Sequence, residues 1–282
     1  MMDWLLEPLR YEFMTRGLLA ALMVGVICSV IGCYVVLRSM AFMGDALAHA
    51  ILPGVAIAYL LKGDLLIGAL AAAIVVALGI GFVSRQGAIK EDTAIGVFFA
   101  AALALGVLLM STARTFATDL THILFGNVLG VSPADLALTA GLGVIVLLAI
   151  ALLYKPFLVI SFDTVLATTL RWPVGLLRAT MLVLLALTIV VSLQTVGVGL
   201  VAAMLVTPAA TAYLLTRRLP AMMLTAASIG ALSSLAGLYL SYYLNVASGA
   251  AVVLVATAIF LAAFLFAPGR GMVWVWQMQR RR

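Results

Sequence analysis

The sequence predicts an all-α fold, a polytopic transmembrane helical bundle of eight to nine spans, and three observations carry that prediction. Of 282 residues 66% are hydrophobic and only 9% charged. The mean hydropathy is +1.28. Apolar runs long enough to cross about 30 Å of hydrocarbon recur from one end of the chain to the other, so residues 1–282 read as one membrane domain with no stretch left for a soluble one. Sixteen Lys and Arg against ten Asp and Glu give a net charge of +6. In a lipid-embedded chain such an excess reports orientation rather than an acidic partner, so the bilayer is the expected surrounding and nucleic-acid binding is not expected.

Taken in order, the runs lie near 14–37, 42–61, 64–84, 93–111, 132–154, 174–195, 197–216, 221–244 and 248–267. The first follows a mixed-charge lead of Asp3, Glu7, Arg10, Glu12 and Arg16. It is longer than a signal-peptide core and has no small-residue cleavage pattern behind it, so it is expected to stay in the mature protein. Two separations are weak: Arg38 to Ala41 barely divides the first two runs, and Val196 to Gly199 is an apolar joint. One element read as a re-entrant or broken helix would lower the count to eight.

Basic residues gather at Arg38, at Arg85 and Lys90, at Lys155 and Arg171, at Arg217 and Arg218, and at Arg270 with Arg280 to Arg282. Nine crossings put all of these on one side, which the positive-inside rule makes cytoplasmic. Lys62, Arg114, Arg10 and Arg16 are exceptions, partly offset by neighbouring acids. Two connections are too long for simple turns. The outer one, Thr112 to Ser132, carries an apolar segment near 119–130 suited to a short extracytoplasmic helix. The inner one, Lys155 to Pro173, holds a candidate amphipathic helix near 161–173, with Ser161 or Asp163 placed to cap it and Pro173 following it.

Asp45 and His49 stand out chemically. Four residues apart on a helix, their side chains diverge by roughly 40°, so a carboxylate oxygen and an imidazole nitrogen can close on a single ion. Ionisable groups in a membrane span are costly and mark ion or substrate paths. The alternative is a mutually satisfied polar contact between helices. Carboxylate and imidazole suit borderline divalent ions such as manganese, iron and zinc, whereas copper(I) would call for Cys or Met. Two ligands hold an ion weakly, but a two-fold axis would bring a second pair and make four. Protonating His49 would remove a ligand, so uptake should fall in acid. Pro53 and Gly54 weaken the helix one turn on.

Other polar groups weigh less. His122 is a lone histidine in the outer connection. Glu91 and Asp92 start a run, where acids complement the helix dipole or pair with a base such as Arg85 or Lys90. Gln194, Thr195, Thr207, Pro208 and Thr211 form a polar stretch that either lines a pathway or bonds helix to helix. Cys28 and Cys33 lie about 140° apart on one helix and read as buried, inert thiols. Gly25, Gly32, Gly230 and Gly237 mark expected close helix approaches.

Three long strings, Val36 to Ala56, Lys90 to Gly96 and Ser192 to Ala212, resemble the integral permease subunits of bacterial ATP-binding-cassette importers for manganese, zinc and iron, and the likeness extends over nearly the whole chain. The resemblance implies a fold related to the vitamin B12 importer permease. It implies a second permease copy or a sister permease, a cytoplasmic ATP-binding-cassette ATPase dimer, and an extracytoplasmic metal-binding protein that delivers the ion. It also implies a cytoplasmic coupling helix, for which Ser161, Phe162, Asp163, Leu166, Leu170 and Arg171 are the candidate ATPase contacts. Asp45 and His49 fill the positions of the intramembrane metal ligands in the manganese members. No resident cofactor is implied, only the transported divalent metal ion: manganese first, zinc or iron as alternatives.

The chain has no GxxxxGK[ST] string, so it is not itself expected to be an enzyme that hydrolyses ATP. A gradient-driven secondary metal transporter is the rival reading, disfavoured by the sparse intramembrane acids. An intramembrane protease would need HExxH or a paired aspartyl motif, and neither occurs.

Overall fold

The computed structural model describes residues 7–85, 89–112, 128–267 and 271–272. Among these residues twelve α-helices follow one another: α1 Glu12–Leu37, α2 Met43–Ala50, α3 Leu52–Leu60, α4 Leu65–Arg85, α5 Glu91–Ser111, α6 Pro133–Leu152, α7 Tyr154–Phe162, α8 Thr164–Thr169, α9 Val174–Val196, α10 Val198–Leu215, α11 Leu219–Leu244 and α12 Ser248–Phe266. With α2 and α3 acting as one span from Met43 to Leu60, nine segments are long and apolar enough to cross a membrane. The nine-span expectation therefore holds for the described residues. Helices are forced here because every backbone N–H and C=O must find its partner within the segment once water is excluded.

Both weak separations resolve into real breaks. Ser39 takes a left-handed φ of 58° and the Met40 N–H turns back to the Val35 carbonyl, which ends α1. Between α9 and α10 the chain turns at one residue, Gly197, with φ 85° and ψ 164°. That region is essentially closed to side chains bearing a Cβ, so a glycine is required there.

Helix α1 is the hub, packed most extensively against α11 and α10, with further contacts to α6 and α9. Small residues set these crossings. A Cβ on Gly25 would meet the Gly230 carbonyl oxygen at 2.9 Å, one on Gly32 the Leu205 oxygen at 1.9 Å, and one on Gly237 the Val252 backbone at 2.3 Å. Close backbone approach substitutes for the hydrophobic drive that lipid cannot supply. Cys28 and Cys33 are buried free thiols on α1. On the peripheral side α3 and α4 cross at Gly54 and Gly68, each occupying the space a side chain on the other would need.

The inner connection folds back onto the bundle. Phe157 of α7 is buried with its ring edge-on to Tyr34 of α1, centroids 5.6 Å apart. This contact holds the connecting segment against the end of α1 that also carries Arg38.

Candidate metal-ion site

Helix α2 is short and buries all but one face. Met43, Gly44, Ala46, Leu47, Ala48 and Ala50 are buried, leaving Asp45 and His49 on the open side. Gly44 lets α10 approach, since a Cβ there would lie 3.3 Å from the Leu205 side chain. Beyond His49 the helix breaks at Ile51 and restarts as α3 with Pro53 in its first turn. Residue 53 is the one whose N–H would normally bond the His49 carbonyl, and proline has none to give.

The two side chains meet as the i, i+4 spacing requires. His49 Nε2 lies 3.7 Å from Asp45 Oδ1, with 30% of the imidazole and 55% of the carboxylate exposed. That separation is too long for a hydrogen bond, so each atom keeps a lone pair or proton position open. The imidazole stands edge-on to Phe99 of α5, ring centroids 5.8 Å apart. Asp45 opens into a cleft of about 230 Å³ shared with Phe42, Asp92, Ile95, Gly96 and Phe99. A carboxylate this exposed on a membrane-spanning helix needs water or protein over it rather than lipid tails.

Depth is a refinement on the sequence reading. Asp45 is in the first turn of α2, and Asp92 is in the first turn of α5. At 1.5 Å per residue His49 is only about 9 Å into its span. The pair therefore lies toward the end of the bundle that holds Arg38, rather than midway along it.

Asp92, Gly96 and Phe99 were not singled out as site residues from sequence. Their spacing of i, i+4 and i+7 places them on one face of α5 and was the available signal. Among the described residues no group of three or more His, Cys, Asp or Glu side chains could hold a metal ion. One copy thus places two candidate ligands, Asp45 and His49, on an open face.

The remaining polar candidates find separate uses. Glu91 pairs with Arg38, not with Arg85 or Lys90: Arg38 Nη2 donates to both carboxylate oxygens at 3.2 and 3.3 Å. Burial draws the Arg38 guanidinium below its ordinary pKa, and Glu91 opposes that shift. Thr195 and Thr211 donate to carbonyls of their own helices, Ser192 and Thr207, at 2.9 and 2.7 Å. Gln194 instead bonds across helices, from Nε2 to Asp135 Oδ1 at 3.3 Å. His122 and nearly all of the segment expected as a helix near 119–130 lie outside the described residues; Val128 to Gly130 form a 3-10 turn.

In the inner connection Asp163 is the cap. Its Oδ1 accepts from the N–H groups of Val165 and Leu166 at 2.8 and 3.0 Å, starting the six-residue α8. Ser161 does not cap: it sits at the end of α7 and donates to the Phe157 carbonyl at 2.7 Å. The helix is thus shorter than the span 161–173, and Arg171 closes it with a left-handed φ of 57°. Phe162, Val165, Leu166 and Leu170 are exposed around buried Ala167, giving an apolar knob bordered by Asp163 and Arg171. Val165 was missed from sequence.

The pattern of the ABC 3 transport family matches residues 10–267. The manganese transport system membrane protein MntC of Halalkalibacterium halodurans is 50% identical over 267 residues, covering 95% of this chain and 91% of that protein. The manganese import system permease protein ScaB of Streptococcus parasanguinis is 44% identical over 259 residues, 92% of each. Among solved structures, PsaBC from Streptococcus pneumoniae in complex with Fab is similar at a TM-score of 0.84, with 38% identity and 99% of both chains covered.

Proposed function

The chain belongs to the ABC 3 transport family, and on that premise we propose that it is the membrane permease of an ATP-driven manganese importer, with Asp45 and His49 as the ligands the ion meets in the bilayer. One observation carries the site: two groups of the right chemistry lie 3.7 Å apart on the open side of an otherwise buried helix. Manganese comes first because relatives 50% and 44% identical are named for it; the carboxylate and imidazole pair suits manganese, iron and zinc alike. The protein is a multi-pass protein of the bacterial inner membrane.

Two ligands are too few, so the open face of α2 is read as half of a shared site. A second permease copy or sister permease across a two-fold axis supplies the other half. The apolar knob of α8 with Phe162 is read as the coupling helix that docks on the cytoplasmic ATPase dimer, and an extracytoplasmic metal-binding protein delivers the ion from the opposite side. Weak, sparse ligation lets the ion leave again.

The test is elemental analysis of cells that depend on this system, comparing wild type with Asp45→Ala and His49→Ala at matched expression. Loss of manganese accumulation alone in both variants supports the reading. Loss of zinc or iron alone reassigns the cargo. Unchanged uptake of every metal makes the pair a structural contact and removes the site, and metal movement by the purified chain without ATPase would favour a gradient-driven transporter.

A further inference from the structure

At the end of the bundle carrying the basic residues, a pocket of about 590 Å³ opens between the last turn of α4, the coupling segment α8 and the first turn of α9. Arg85 and Arg178 both line it, together with Thr164, Thr168 and Trp172. No lining residue is acidic. Neither guanidinium has a carboxylate within ion-pair distance among the described residues. Asp163, the chain neighbour of Thr164, spends its Oδ1 on the N–H groups of Val165 and Leu166, Glu91 is engaged by Arg38, and Arg38 and Arg178 are close enough to repel.

The pocket keeps donors unspent. Arg178 Nε is buried with no hydrogen-bond partner, a state that costs free energy until an acceptor arrives. Arg85, an exposed residue, rests its guanidinium against the bare Gly175 backbone: a Cβ there would lie 2.8 Å from its Nη1. The Thr168 hydroxyl donates to the Val165 carbonyl at 2.6 Å, leaving its lone pairs but no proton. Thr164 makes no such bond among the described residues. Two guanidinium-bearing residues and a hydroxyl lining one pocket offer the donors that phosphate oxygens accept from.

Its surroundings point to where that phosphate comes from. Leu176, on the rim, is 66% exposed, and Trp172 belongs to the residue type that favours the headgroup level. Basic pockets between spanning helices on the cytoplasmic side suit anionic headgroups, with apolar neighbours for the acyl chains.

We propose that Arg85, Arg178 and Thr164 form a binding site for the phosphodiester of an anionic phospholipid of the inner leaflet. The site braces the coupling segment against α4 and α9 through the lipid. It requires that the chain spans the membrane, and it does not depend on which metal is carried or on Asp45 and His49.

The experiment places the full permease, with its ATPase bound, in nanodiscs of equal phosphatidylglycerol and phosphatidylcholine. Native mass spectrometry then counts the lipids retained. Two guanidiniums predict retention of phosphatidylglycerol over phosphatidylcholine by about tenfold or more. Arg85→Gln with Arg178→Gln brings the ratio to parity, while Arg85→Lys with Arg178→Lys keeps a preference and shows that the fold survives substitution. Parity in the wild type overturns the proposal, as does a preference unchanged in the Gln variant. Displacement of the lipid by millimolar inorganic phosphate makes this a free-phosphate site and overturns the lipid assignment. A preference seen in the permease alone but lost once the ATPase binds makes the pocket a protein contact, with the same consequence.

Discussion

Arg38 and Glu91 join the exit of α1 to the entry of α5 through a two-oxygen contact at 3.2 and 3.3 Å, with the Arg38 side chain only 6% exposed and Glu91 27%. Helix α2, with the candidate ligands, starts between these two anchored ends. Asp92, the residue after Glu91, lines the cleft into which Asp45 opens.

Breaking that pair by Glu91→Leu strands a buried guanidinium. The loss should be about 2 kcal/mol, below the ~3–5 kcal/mol of a fully buried pair because Glu91 keeps some contact with water. Arg38→Met combined with Glu91→Leu should recover most of it. Thermal unfolding of the single and double variants in detergent measures the coupling, and equal losses in the single and double variants would contradict it.

Gly96 faces the cleft, and a Cβ built there has no neighbour within 4 Å. Gly96→Leu should leave stability unchanged or raise it by up to about 1 kcal/mol, since glycine is a poor helix former. The side chain would fill the cleft beside Asp45, so metal uptake should fall at least several-fold at normal expression. Full uptake would mean that the cleft is not on the ion's route.

Gly32 is the opposite case. Its Cβ would sit 1.9 Å from the Leu205 carbonyl oxygen, a backbone atom that cannot swing aside. Gly32→Ala should cost about 1–3 kcal/mol by forcing α1 and α10 apart. Gly199→Ala, which meets nothing within 4 Å, is the control and should be close to neutral. Melting temperatures of the two variants in the same detergent decide the matter.

Asp163 accepts the N–H groups of Val165 and Leu166, the second and third residues of α8. Asp163→Ala should cost about 1 kcal/mol of local stability, read as faster amide hydrogen exchange across 164–169 and weaker coupling of ATP hydrolysis to uptake. Ser161→Ala, whose hydroxyl serves only its own helix, should leave exchange in α8 unaltered.

The spans and the chemistry of Asp45 and His49 were readable from residue order, while the weak separations at Arg38 to Ala41 and Val196 to Gly199 were settled as breaks by the structure. Hydropathy over about twenty residues is a local sum that needs no knowledge of neighbours, and an i, i+4 pair is set by helix geometry alone. The joint Val196 to Gly199 and a cap at Ser161 or Asp163 were legible for the same reason, and the structure chose Gly197 and Asp163 within them. Tertiary structure alone decided that Glu91 takes Arg38, that Asp92 shares the cleft with Asp45, that Gly25 faces Gly230, and that Arg85 and Arg178 converge on one pocket. In a bilayer the outside of a helix is as apolar as the inside, so composition carries no stripe to say which face meets which neighbour. That choice rests on close packing between particular helices, which is a property of the whole bundle.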